Sequence, residues 1–309
     1  MKGKRKQQKL RQEQLEEEKK ELEETSSDKT DPENSELKVK EESEEDPRPK
    51  EIWEKFKKEE PPKRKKSGLT GFAIKMIACL SMLFDHIAAV FLDEGYFFLH
   101  PDVDKAPDWI FHMDFAMRAF GRLAFPLFCF LIVEGCFHTG NKWKYLRNLI
   151  VFGIISEIPF DLAFNRSFFD WSSQNVYFTL ALGLLTIIGI EYFTKGSFMK
   201  AGPKEKLAAI FIVTATAVLA SLMRADYAFL GILVVLFMYI YRKNKGIAAG
   251  GLVFMFVLVD PLELISMVDF AILPLYNGER GRKIKYAFYL FYPLHILILY
   301  VIRKLTMGI

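Results

Sequence analysis

Asp85 and His86 lie side by side inside a long apolar run, where an ionisable group needs a partner or a purpose. Placing Asp, Glu, Arg or Lys in hydrocarbon costs roughly 2.5–3.5 kcal/mol apiece even on the more forgiving insertion scale. An imidazole with an unperturbed pKa of about 6.5 can accept a proton near neutrality, which is what a general base must do. His86 is therefore the leading candidate base. Asp85 points about 100° away on a helix and cannot orient the same ring, so it is expected to pair with an arginine. Arg118 and Arg122 are one turn apart on a second apolar run, and Glu157 and Asp161 are spaced the same way on a third. His295 falls near the middle of the last run, as a second base or an orienting group. Gln174, Asn175, Arg224, Asp226, Asp260 and Glu263 map near the same membrane face as these pairs.

Each of these residues also has a structural reading. Asp114, four residues before Arg118, is placed to pair with it at the boundary, and Glu157 with Asp161 is placed to neutralise both arginines. Arg224 with Asp226 also reads simply as a loop. Glu134 falls near the inner end of its run, where it can face water, and Lys75 can snorkel to the surface. Cys79, Cys129 and Cys136 all lie in apolar runs, giving neither a disulfide framework nor metal-ligand spacing, and no metal is expected.

The elements that carry these residues follow from hydropathy. Residues 1–67 hold 20 Lys/Arg against 20 Asp/Glu and almost nothing apolar, so they are expected to be a disordered charged tail. Residues 68–309 form one transmembrane domain of apolar runs, each of roughly 15–22 residues, long enough to cross a bilayer core. The fold class is all-α, a polytopic helical membrane protein of about nine spans (eight to ten). The spans are expected at 70–92, 114–137, 144–163, 175–193, 206–223, 226–241, 246–259, 262–276 and 285–303. Asp260 and Pro261 divide the seventh from the eighth, which together read as a short hairpin.

Basic loops at 63–66, 142–147 and 195–206 alternate with acidic or neutral ones at 93–112, 164–174 and 224–226. The expected orientation is a cytoplasmic N-terminus in a multi-pass cell-membrane protein, with Arg303 and Lys304 at the other end arguing mildly against it. The net charge of +4 belongs to these loops and reports orientation rather than nucleic-acid binding. In this arrangement Asp85 lies about 22 Å from Thr70 along its helix, and the two arginines lie about 6–12 Å from the outer end of theirs. The charged pairs on the first two spans can then meet.

Several long stretches carry a resemblance. "KMIACLSMLFDHIAAVF", "RAFGRLAFPLFCFLIVEGCFHTGNKWKYLRNLIVFGIISEIPFDLAF", "QNVYFTLALGLL" and "NGERGRKIKYAFYLFYPLHILILYVI" resemble the TraX family of conjugation-associated membrane proteins over about residues 69–303. The closing "FYLFYPLH" is also similar to the last helix of acyltransferase family 3. The resemblance implies acetyl transfer, with acetyl-CoA as co-substrate and an amine or hydroxyl of a peptide, glycan or lipid as acceptor. Under it, His86 would deprotonate the acceptor, with Asp85 and His295 beside it. Arg118 and Arg122, with Asn175, would hold CoA phosphate or polarise the thioester carbonyl. Glu157 and Asp161 would orient the acceptor or the arginines. The rival expectations are a proton-coupled secondary transporter using the same Asp/His/Arg cluster, and an assembly factor whose tail docks an unknown partner.

Overall fold

Three prolines lie within the long helices of this chain. The protein is described by a computed structural model covering residues 67–102, 106–196, 198–244, 269–282 and 284–309. The charged tail, the run at 246–259, and Asp260, Pro261 and Glu263 lie outside the described residues. Within them the elements are α1 (Gly71–Ala88, continuing as a π turn Ala89–Phe97), α2 (Asp108–Gly121) and α3 (Ala124–His138). Next come α4 (Lys142–Phe160, continuing as a π turn Asp161–Asn165), α5 (Val176–Thr194), α6 (Pro203–Leu222) and α7 (Ala228–Ile240). A single turn α8 (Asp269–Ile272) precedes the closing helix α9 (Lys285–Met307).

Polar residues fix several starts. Thr70 caps α1 by accepting from Ala73 N–H, Asn141 caps α4 by accepting from Lys144 N–H, and Asn175 caps α5 by accepting from Tyr177 N–H. Pro203 opens α6, where its missing N–H costs nothing.

A proline ring inside a helix clashes with the carbonyl four residues back and leaves it without a donor. For Pro126 that residue is Arg122, where α2 gives way to α3. At the same junction the carbonyls of Phe120 and Gly121 accept from the Ser81 hydroxyl on α1, at 2.7 and 3.2 Å. Pro159 lies two residues before α4 widens into its π turn. Pro293 leaves the carbonyl of Tyr289 open, and the Tyr177 hydroxyl on α5 donates to it at 3.0 Å. At Pro293 the defect in one helix thus becomes a joint to another.

The apolar core draws on α1, α3, α4, α5, α7 and α9, with Ile74, Leu127, Leu149, Leu184, Val235 and Ile296 almost wholly buried. α5 packs against α4, α6 and α7. A hydrogen bond of 2.7 Å between Thr186 and Thr216 ties α5 to α6, a contact worth about 0.6 kcal/mol between membrane helices. α6 otherwise turns Leu207, Phe211 and Leu222 outward, a surface suited to lipid.

Five helices among the described residues are long and apolar enough to cross a membrane: Gly71–Phe97, Asp108–His138, Val176–Thr194, Pro203–Leu222 and Tyr286–Met307. The expected count of nine is not confirmed, and the run at 246–259 and part of that at 262–276 lie outside the described residues. The run at 144–163 does fold as α4, but Lys142, Lys144, Arg147 and Glu157 make it too polar to count. α7 has only 13 residues, about 20 Å of helix.

Candidate active site

His86 on α1 and His295 on α9, 209 residues apart in sequence, meet directly: Nδ1 of His86 lies 2.7 Å from Nε2 of His295. The rings are within 7° of parallel and their centroids are 4.9 Å apart. That separation exceeds the N···N distance by about two ring radii, so the rings share a plane edge to edge and the bond runs along the lone-pair direction. A second contact settles the tautomers. Nδ1 of His295 lies 2.7 Å from the carbonyl oxygen of Phe291, one turn back on α9. A carbonyl can only accept, so Nδ1 of His295 carries the hydrogen. In the neutral ring its Nε2 then holds a lone pair, and Nδ1 of His86 must donate to it. This leaves Nε2 of His86 with the free lone pair.

The surroundings keep the two rings in place. Tyr292 sets its ring edge against both His86 and His295, with centroids 5.8 and 5.7 Å away, and Phe164 from the π turn of α4 stands 5.4 Å from His86. His295 and Tyr292 are buried, and His86 is partly accessible.

Asp85 faces the other way, towards α2. Arg118 bridges two carboxylates of α1 and its extension, Nη1 to Asp85 at 3.1 Å and Nη2 to Asp93 at 3.2 Å. In an unbroken α-helix those carboxylates would stand on different lines. The wider π turn that begins at Ala89 brings Asp93 back over Asp85, so one guanidinium serves both. Asp114 forms no ion pair with Arg118, and its Oδ1 is buried without a hydrogen-bond partner. The charge of Arg118 is felt at His86, and Arg122 lies within electrostatic range of Asp85 and Asp226.

Gly121 is required for this arrangement. A Cβ there would overlap the Asp85 side chain, with Oδ1 only 2.6 Å away. Gly121→Ala is expected to destabilise the protein by about 1–3 kcal/mol through overpacking, and Gly121→Val by more. Gly140→Ala, which would meet nothing within 4 Å, should be neutral. Thermal unfolding of the detergent-solubilised variants reads the difference.

Glu157 and Asp161 do not reach the arginines. Glu157 Oε1 accepts from the backbone N–H of Asn175 at 3.1 Å and from its side-chain amide. The other amide hydrogen of Asn175 goes to the carbonyl of Gly153 at 2.9 Å, and its Oδ1 caps α5, so every polar atom of that side chain is committed within the protein. Asp161, fully buried, accepts from Asn165 and from the backbone N–H of Asp170, both at 2.9 Å, and pins the following loop. Asp170 is held below the ordinary carboxylate range by the hydroxyl and N–H of Ser172.

In the sequence Glu134 falls near the inner end of its run, where it can face water. It is instead 7% exposed and paired with Arg242 at 2.7 Å, because α7 ends beside α3 and delivers the guanidinium there. Nearby, Lys142 and Glu191 form a second buried pair at 2.5 Å. Arg303, treated in the sequence as an end-of-chain charge, has a completely buried side chain donating to the carbonyls of Ala163 and Leu162 at 2.7 and 3.2 Å. One signal for it was present: it lies two turns beyond His295 on the same helix.

Comparison with known proteins gives the chain's family. A family model described as TraX protein matches residues 70–303, from the cap of α1 to the buried arginine of α9. A relative in Dichelobacter nodosus, "Probable fimbrial assembly protein FimC, serogroup H1", is 33% identical over 253 residues, spanning 74% of this chain and 94% of that protein. No solved structure matches. Apolar helices long enough for a bilayer, and a match running through both histidines and nearly the whole helical domain, place this membrane protein in the TraX family.

Proposed function

We propose that the chain is a membrane-embedded acetyltransferase, moving an acetyl group from acetyl-CoA to an amine or hydroxyl acceptor. The observation that carries this reading is the hydrogen-bonded pair of histidines that leaves a lone pair on Nε2 of His86. Kinship with a fimbrial assembly protein suits an acceptor among the components of a surface fibre.

Acetyl-CoA supplies the acetyl group as a thioester. Nε2 of His86 takes the proton from the acceptor N–H or O–H as the acceptor bonds to the carbonyl carbon. The carbon–sulfur bond then breaks, and His86 returns the same proton to the departing thiolate. Between these steps His86 is an imidazolium. Its Nδ1–H donates to His295, and the Nδ1–H of His295 donates to Phe291, so the positive charge is spread along a chain ending on a carbonyl dipole. His295 here does the orienting work that a carboxylate does in a serine-protease triad.

Arg118 and Asn175 have their polar groups engaged inside the protein, so this reading gives them the shaping of the site rather than the holding of CoA phosphate. Glu157 and Asp161 hold the turns that carry Asn175 and Phe164. Arg122, within electrostatic range of Asp85 and Asp226, is the guanidinium assigned to the developing negative charge of the thioester oxygen.

The test is release of free CoA from labelled acetyl-CoA by purified protein in lipid nanodiscs, with peptides bearing a free N-terminal amine and with hydroxylated acceptors. Acceptor-dependent release is expected. Absence of release with every acceptor, together with a proton flux in proteoliposomes, would transfer the histidine pair to the transporter reading.

A further inference from the structure

Arg303 poses a problem of its own. Its side chain is 1% exposed, yet among the described residues no carboxylate lies within ion-pairing distance. A buried cation without a counter-ion is costly and calls for a reason. What it meets is the open end of α4. The π turn at Asp161–Asn165 finishes the helix, its last carbonyls carry the negative end of the helix dipole, and the guanidinium donates to two of them, Leu162 and Ala163.

The next residue in the chain is Phe164, whose ring stands against His86. Just beyond it, Arg166 takes a left-handed conformation and reaches back to α1, donating to the carboxylate and the carbonyl of Glu94 at 2.9 and 2.5 Å. Phe164 is therefore held from both sides, by Arg303 before it and by the Arg166–Glu94 link after it.

We infer that Arg303 is a positioning residue for His86: by clamping the π turn of α4 it fixes Phe164 as the wall that keeps the His86 imidazole in the plane of His295. The inference rests on the proton-accepting role given to His86 above. Rotation of that ring about its bond to Cβ would withdraw Nδ1 from His295 and swing Nε2 away from the acceptor. Phe164 and Tyr292 are the two aromatic walls that oppose it, and His295 holds the edge. α9 supplies His295 and Arg303 together, so one helix sets both the partner of the ring and the clamp on its wall.

The measurement is nitrogen NMR of the full chain in nanodiscs with labelled histidine. The wild type is expected to show protonated Nδ1 and unprotonated Nε2 in both His86 and His295, with the signature of a hydrogen bond joining them. Arg303→Met is expected to abolish that joining signature. It should also lower kcat about 10²-fold, the scale of an ångström-level misplacement, with KM for acetyl-CoA unchanged. Arg303→Lys, which can satisfy one carbonyl, should restore both in part. Phe164→Leu, which leaves the clamp intact, should break the signature in the same way and covers the case in which Arg303→Met does not fold. An intact histidine signature in either Arg303→Met or Phe164→Leu overturns the inference. A lost signature in a protein whose wild type transfers no acetyl group keeps the inference and removes the acetyltransferase reading.

Discussion

His86→Gln is expected to reduce acetyl transfer by about 10²–10⁴-fold, the range that a positioned general base supplies. Glutamine keeps the size and polarity of the site but offers no basic nitrogen. His295→Ala should be nearly as damaging, because Nδ1–H of His86 would lose its acceptor and the ring its preferred tautomer. His295→Gln should be milder than His295→Ala, since a side-chain oxygen can still accept from Nδ1. If the two rings act as one unit, the double variant His86→Gln/His295→Ala should be no slower than His86→Gln alone. The acid limb of the rate profile should then belong to the pair rather than to either ring; it should vanish in His86→Gln and move to a different pH in His295→Ala. The check is steady-state CoA release across pH, with protein yield and elution volume compared at every point. A loss of less than about tenfold in His86→Gln would falsify the base assignment.

Much of the framework for this pair was legible in the sequence, and the reason is local. Helix positions follow from the length of apolar runs, which involve only neighbours in the chain. The chemical prominence of His86 and His295 was legible too, because an imidazole in an apolar run is rare enough to need a reason. What could not be read is which ring faces which. Their contact depends on the packing of α1 against α9, and 209 residues separate them.

The same limit accounts for Glu157 and Asp161. Spacing placed them on one face, but whether that face met the arginines or the start of α5 was a tertiary question, and Asn175 took the carboxylate. Asp93 was hidden by a departure from helical periodicity. A count of 100° per residue sets it off the line of Asp85, and only the π turn restores it. Arg303 was misjudged because a charge near the end of a chain reads as solvated, whereas α9 continues to Met307 and carries that position into the interior.

The largest expected effect on stability is at the opposite end of the bundle from Asp85. Lys142 and Glu191 are 7% and 6% exposed, and their charged atoms are 2.5 Å apart. Each sits at the unfavourable end of its helix, a cation in the first turn of α4 and an anion in the last turn of α5. Neither position would hold its charge alone, so the pair is kept by mutual neutralisation, with the Tyr239 hydroxyl donating to Glu191 at 3.5 Å. Removing one partner leaves a buried charge at the wrong helix end. Lys142→Met and Glu191→Leu are each expected to cost about 3–5 kcal/mol. The double variant removes both charges and both dipole conflicts, and should recover most of the loss or exceed the wild type by about 1–4 kcal/mol. Unfolding of the four proteins in one detergent, combined as a double-mutant cycle, isolates the coupling. Additive losses in the double variant would mean that the two side chains contribute through apolar packing, and that the short contact between them stabilises nothing.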